Sequence, residues 1–173
     1  MKRLVILGFG GYGKTIEDVV LSARLYDEIV FLDDGSCDEK VCGKCTDFER
    51  YIDADTHFYP AFGNNALRVK WIDALLDKGA AVATIIHPQA YISRNAVIGT
   101  GCAVLPNSSV NVNCVLGAGC IVNFGAVIDH DVTVGDGVHL CLNCTVKAHN
   151  HIPSFGKIEA GKTILNNTFK QEN

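Results

Sequence analysis

The sequence has no apolar stretch long enough to span a bilayer. Its first apolar run, Leu4-Val5-Ile6-Leu7, breaks at Gly8, too soon even for the core of a signal peptide. Basic runs are also missing, and a net charge of −4 over 173 residues gives a nucleic acid or an anionic membrane surface nothing to hold. No Pro-, Gly- or Ser-rich linker divides the chain. Zinc-ligand spacing is incomplete: Cys37, Cys42 and Cys45 read C-x4-C-x2-C, with no second C-x2-C or H-x3-H nearby and only His57 as a conceivable fourth ligand. No metal is therefore expected. What remains is 48% hydrophobic and 20% charged, the composition of one or two globular units, expected in the cytoplasm.

One pattern dominates what is present. From Ile86 to Ile164 every sixth residue is Leu, Ile or Val, fourteen positions without a miss in a chain where those types make up about a quarter of residues. A period of six is neither helical nor that of a lone amphipathic strand. It fits a parallel β-helix of hexapeptide turns, in which eighteen residues complete one triangular coil. Two residues before the aliphatics stand small side chains, Ala90, Ala96, Cys102, Ser108, Cys114, Cys120, Ala126 and Cys144, which a narrow core needs beside large ones. Gly99, Gly117 and Gly135 follow aliphatics where a side chain would crowd a corner. The small position loosens at Val132, Val138, Asn150, Gly156 and Lys162, so the last turns are expected to be less regular. Val97, Val115, Ile121 and Val127 are expected to be exposed on the coil and to bury themselves against copies.

The first half differs. Arg3–Leu7 reads as a strand, Gly8 to Gly13 as a glycine loop, Lys14 to Arg24 as a helix, and Glu28–Leu32 as a second strand ending at Asp33-Asp34. A third strand over Thr56 to Phe62, a helix over Asn65 to Lys78 and a strand over Ala81 to Ile85 complete half of a doubly wound fold. Gly8, Gly10 and Gly13 satisfy G-x-G-x-x-G, whose backbone N–H groups and following helix attract a diphosphate. A tight turn without a ligand is the alternative. About 85 residues are too few for a full dinucleotide site. The expected organisation is 1–85 a Rossmann-like domain, 86–165 the coil and 166–173 a tail.

These elements, with Gly-Phe-Gly-Gly-Tyr-Gly-Lys at 8–14, Phe-Leu-Asp-Asp at 31–34, Phe-Gly-Asn-Asn-x-x-Arg at 62–68, Ile-His-Pro at 86–88 and Asn-x-Gly-Ala-x-Ile-Asp-His-Asp at 123–131, resemble the NeuD/PglD-type sugar O- and N-acetyltransferases. The resemblance implies a left-handed hexapeptide coil, a homotrimer with sites between neighbouring coils, and transfer of acetyl from acetyl-CoA to an amine or hydroxyl of a sugar, often UDP-linked. It implies His130 as general base with Asp131 beside it, Asn123 facing the sugar, and His139 and Ala148 near the acetyl-CoA. It further implies that Gly10, Gly11, Tyr12, Gly13, Asp33 and Asp34 hold the nucleotide sugar. Tyr12 stands where the family often has histidine, Ala148 where a glycine is expected, and the coil is shorter than the family's usual one.

The chemistry suits those residues. An amine attacks a thioester well only if its proton leaves, and imidazole is the usual acceptor near neutral pH. A carboxylate beside it fixes the tautomer. The eighteen-residue register stacks Asp131 on His149 and Asp129 on Lys147, so His149 is a possible proton relay, with a plain charge ladder as the alternative. Two other functions stay open. A trimeric binding or assembly protein that has lost CoA is one. The other is a zinc-dependent hydratase, which would want two histidines five apart, a spacing this chain lacks.

Overall fold

Leu4, Val5, Ile6 and Leu7 are all fully buried, as a central parallel strand covered on both faces must be. In the computed structural model, which describes residues 1–170, that strand is β1 (Arg3–Leu7). It lies between β2 (Glu28–Leu32) and β3 (Thr56–Pro60), with β4 (Ala81–Val82) outside β3, all parallel. Helix α1 (Gly11–Ser22) joins β1 to β2, and α2 (Asn65–Asp77) joins β3 to β4. The order β2-β1-β3-β4 reverses direction at β1, so a crevice opens between the carboxyl ends of β1 and β3. Helix α1 begins at Gly11 rather than Lys14, because Gly10 takes the N-cap and the glycine loop itself supplies the first turn. A 3-10 turn over Cys45–Tyr51 has no apolar period to announce it.

The chain divides into two compact units, Met1–Ala83 and Thr84–Asn173. In the second, fourteen two-residue strands recur every six residues from Ile85–Ile86 to Thr163–Ile164. They stack as three parallel sheets whose partners are eighteen residues apart, such as Val97 with Val115 and Val115 with Thr133. This is a left-handed parallel β-helix. Face one stacks Ala103, Ile121 and His139, face two Ser109, Val127 and Thr145, and face three Val115, Thr133 and His151. The hexad aliphatics from Val104 to Ile164 form the buried core. The expected irregularity after Leu140 does not appear in the strands, which keep register to Ile164. Asn150 explains part of this: at 2% exposure its amide bonds Lys147 O (2.7 Å) and Leu165 O (2.9 Å), and its oxygen accepts from Phe169 N (2.9 Å). Of the segment expected as a tail, residues 166–170 turn back so that Phe169 packs on the core, while 171–173 lie outside the described residues.

Corners follow a rule of their own. The third residue after each aliphatic, from Gly101 to Asn167, is left-handed, with φ between 54° and 73°. Ten of these twelve residues are Gly, Asn or Asp, the types that accept that region. His149 and Phe155 are the exceptions. A Cβ on Gly117 would stand 2.8 Å from Asp136 N, and on Gly135 2.6 Å from Ser154 N, so the next coil's backbone leaves no room there. Buried Cys102, Cys114 and Cys120 do more than fill space, since each thiol donates to a carbonyl fifteen residues on: Gly117 (3.1 Å), Asp129 (2.9 Å) and Gly135 (3.1 Å). Val97, Val115 and Val127 are exposed as expected, but Ile121 is fully buried. Among the described residues no helix is long and apolar enough to cross a membrane.

Candidate active site

His130 and Asp131 form the corner between faces two and three, and the left-handed backbone at Asp131 (φ 56°) turns its carboxylate back on its neighbour. Asp131 Oδ2 lies 2.7 Å from His130 Nδ1. A carboxylate only accepts, so Nδ1 carries the proton and Nε2 is the acceptor in the neutral ring. Asn113, one coil earlier in the same column, donates Nδ2 to Asp131 Oδ1 (2.9 Å). The hydrogen bond to Asp131 holds the His130 pKa above its ordinary value, with the charge of Asp129 adding to it. Asp131 is held below the usual carboxylate range, first by Asn113 and then by His130. Asp129 turns Oδ1 to the backbone N–H of His130 (2.9 Å).

The register places Ala148 one coil beyond His130 and His149 one coil beyond Asp131. Ala148 is buried. The His149 ring meets that of His130 edge to face, centroids 5.3 Å apart. Asp131 Oδ1 is engaged by Asn113 and Oδ2 by His130, and the ring contact joins His149 to this pair. His130, Asp131 and His149 also offer ligand atoms that all lie within 4.8 Å of one another.

Asn123 and His139 make a second pair, Nδ2 to Nε2 at 3.1 Å, on face one and its corner with face two. Asn123 Oδ1 accepts from Phe124 N (2.9 Å), which fixes the amide. A triangular prism has three edges, and within one chain this pair and the His130 corner belong to different ones. The structure thus brings the predicted residues together as two groups. Sequence reasoning missed Asn113, which the same eighteen-residue rule that pointed to His149 would have found.

The glycine loop sits at the mouth of the β1–β3 crevice. Gly8 has φ of 106°, and a Cβ on Gly13 would clash with Gly8 O, so both glycines are required by the turn. A Cβ on Gly10 or Gly11 would meet nothing within 4 Å, so these two face open space. Asp33 clamps the loop: Oδ2 accepts from Phe9 N (2.7 Å), and Oδ1 from Gly35 N and Ser36 N (2.8 Å each). Those bonds, that from Phe9 foremost, hold its pKa below the usual range. Asp34 accepts from Cys45 N (2.9 Å). Burial, then Asp34 and Asp33, push the Cys45 thiol to about 12, while Cys37 and Cys42 are exposed. Tyr12 OH lies 2.6 Å from the OH of Tyr59, a fully buried residue of β3 that the sequence did not single out. Other motif residues build the scaffold: Asn64 caps α2 through Leu67 N (2.9 Å), and buried Arg68 donates to Phe62 O (2.7 Å) and Asn65 Oδ1 (2.9 Å).

The chain is similar to known proteins. Residues 3–75 match the PglD N-terminal domain family. The UDP-N-acetylbacillosamine N-acetyltransferase of Bacillus subtilis is 34% identical over 116 residues, 61% of this chain and 52% of that protein. The chain thus spans about half the length of this curated relative. The acetyltransferase domain of PglB from Neisseria gonorrhoeae, solved in complex with acetyl coenzyme A, is 28% identical with a TM-score of 0.74, covering 94% of this chain and 95% of that one. PerB from Caulobacter crescentus, solved with CoA and GDP-perosamine, shares the fold with a TM-score of 0.82 at 23% identity, over 99% of this chain and 92% of that one.

Proposed function

Since the chain belongs to the NeuD/PglD-type family, we propose that it transfers an acetyl group from acetyl-CoA to a nucleotide-linked amino sugar, with His130 as general base. The observation that carries this reading is the His130 Nδ1 to Asp131 contact of 2.7 Å, itself braced by Asn113. It leaves Nε2 to take a proton. The acceptor amine attacks the thioester carbonyl as its proton moves to Nε2, and Asp131 stabilises the imidazolium that forms. The tetrahedral intermediate then expels the thiolate, breaking the carbon–sulfur bond, and the proton returns from Nε2 to sulfur. Transfer is direct. Nearby thiols argue against a covalent acetyl-enzyme, because burial raises the pKa of Cys114, whose Sγ lies 2.9 Å from Asp129 O, raises that of Cys141 and pushes Cys144 to about 12.

The separation of the two side-chain groups onto different prism edges favours a homotrimer, in which a second copy brings its Asn123–His139 edge to the His130 corner. Asn123 then faces the sugar, and His139 and the backbone around Ala148 line the acetyl-CoA arm. Gly10, Gly11 and Tyr12 face the open crevice of the first unit and are the groups to hold the nucleotide sugar, with Gly13, Asp33 and Asp34 shaping that loop. An amine is the favoured acceptor, because the Bacillus subtilis relative is named for N-acetyl transfer to a UDP-linked sugar. A cytoplasmic location goes with these co-substrates. His149 serves this reading as a wall beside the imidazole. The test is acetyl transfer from acetyl-CoA to UDP- and GDP-linked amino sugars by the purified protein. No turnover and no acetyl-CoA binding would sink the enzyme and leave a trimeric binding protein.

A further inference from the structure

We propose that His130, Asp131 and His149 form a binding site for a borderline divalent cation such as Zn2+, and that its occupation switches off the base. Two imidazoles and a carboxylate are the donor set this class of metal prefers. All three ligand atoms already lie within 4.8 Å of one another without a metal. With bonds of about 2.0–2.1 Å, tetrahedral zinc ligands stand roughly 3.3 Å apart, so closure needs movements of at most about 1.5 Å. The side chains that must move are able to: Asp131 and His149 are exposed and His130 is partly so. Their backbones, by contrast, are fixed, because Asp131 and His149 occupy successive left-handed corners of one column. Asn113 holds Asp131 Oδ1 and so orients the carboxylate from behind, as outer partners of metal ligands do. The exposed side leaves water to complete the coordination.

The consequence for acetyl transfer follows from the tautomer. A cation at His130 Nδ1 replaces the proton that Asp131 now accepts, and the ring's remaining proton must sit on Nε2, which then cannot act as acceptor. A cation at Nε2 takes the lone pair outright. Either way one imidazole cannot serve both metal and substrate. This inhibition rests on the proposed role of His130, whereas the binding does not.

Both are tested with Co2+ and Zn2+ on the full chain carrying Cys37→Ser and Cys42→Ser, which removes the exposed thiols. His149→Asn is the probing variant, since asparagine accepts the left-handed corner and the fold is retained. The expected results are one Co2+ per chain with visible d–d bands and no sulfur charge-transfer band, and at least tenfold weaker binding in the variant. Zn2+ is expected to inhibit acetyl transfer reversibly by EDTA, with an inhibition constant at least tenfold higher in His149→Asn. Equal Co2+ affinity in the two proteins, or a sulfur-to-cobalt band, overturns the site. Intact binding without inhibition overturns the switch and the role of His130 while leaving the site.

Discussion

Replacing Asn150 with alanine removes a buried polar side chain whose amide plugs the core column of the last coils. Its carboxamide is 2% exposed and makes three hydrogen bonds, to Lys147 O, Leu165 O and Phe169 N. Alanine leaves the Lys147 carbonyl and the Phe169 N–H without protein partners, while Leu165 O still accepts from Thr168 N (3.2 Å) and Thr168 Oγ1 (2.7 Å). At about 1 kcal/mol for each stranded group, the low end because Lys147 lies at the surface, the loss is about 2 kcal/mol. For a chain of this size that lowers the melting temperature of the coil by about 4–8 °C, at roughly 2–4 °C per kcal/mol. Calorimetry measures the shift, and hydrogen exchange locates it: the His151 amide, bonded to Phe169 O at 2.8 Å, and the Phe169 amide lose protection first. A melting temperature within about 1 °C of the parent, with those amides still protected, would refute the assignment of Asn150 as a structural plug.

Asp131→Asn keeps the left-handed corner but removes the carboxylate whose hydrogen bond, foremost, and charge raise the His130 pKa. The base works when neutral, so the raised pKa pushes the acid limb of kcat/KM upward, and the variant's limb moves to lower pH with a smaller plateau; a pH–rate profile and an imidazole NMR titration both read this. Asp33→Ala strands the N–H groups of Phe9, Gly35 and Ser36. The KM for nucleotide sugar should rise about tenfold or more, the scale of one charge-assisted hydrogen bond, with kcat nearly unchanged. The depressed pKa of Asp33 sets the sign of its pH dependence: the clamp is fully present above the unfolded carboxyl value and is lost as pH falls through the lowered folded one.

The coil was legible because its signal is local and repeats. Each aliphatic from Val104 to Ile164 meets the same environment one coil away, so a period of six and a return after eighteen were enough to pair Asp131 with His149. The left-handed corners are equally visible, as Gly, Asn or Asp three residues after most aliphatics, but their signal is conformational and lies outside the hydrophobic period. Asp33 shows a harder limit. Its place at a strand end suggested a ligand contact, but an oxygen bonded to Phe9 N, 24 residues away, is a loop clamp, and nothing in the spacing separates the two roles. The burial of Ile121 and the Tyr12–Tyr59 contact likewise depend on what neighbours the fold supplies. Within one chain the prism puts the Asn123–His139 pair and His130 on different edges, a separation that the period of eighteen already fixes.

The decisive measurement is steady-state acetyl transfer from acetyl-CoA to UDP- and GDP-linked amino sugars by the parent chain and by His130→Asn, with acetyl-CoA binding followed by calorimetry in both. Loss of kcat by about 10²–10⁴-fold with acetyl-CoA affinity retained is what a general base at this corner requires. Turnover by His130→Asn within about threefold of the parent would mean that the proton leaves by another route, and that the Asn113–Asp131–His130 chain only holds the corner together.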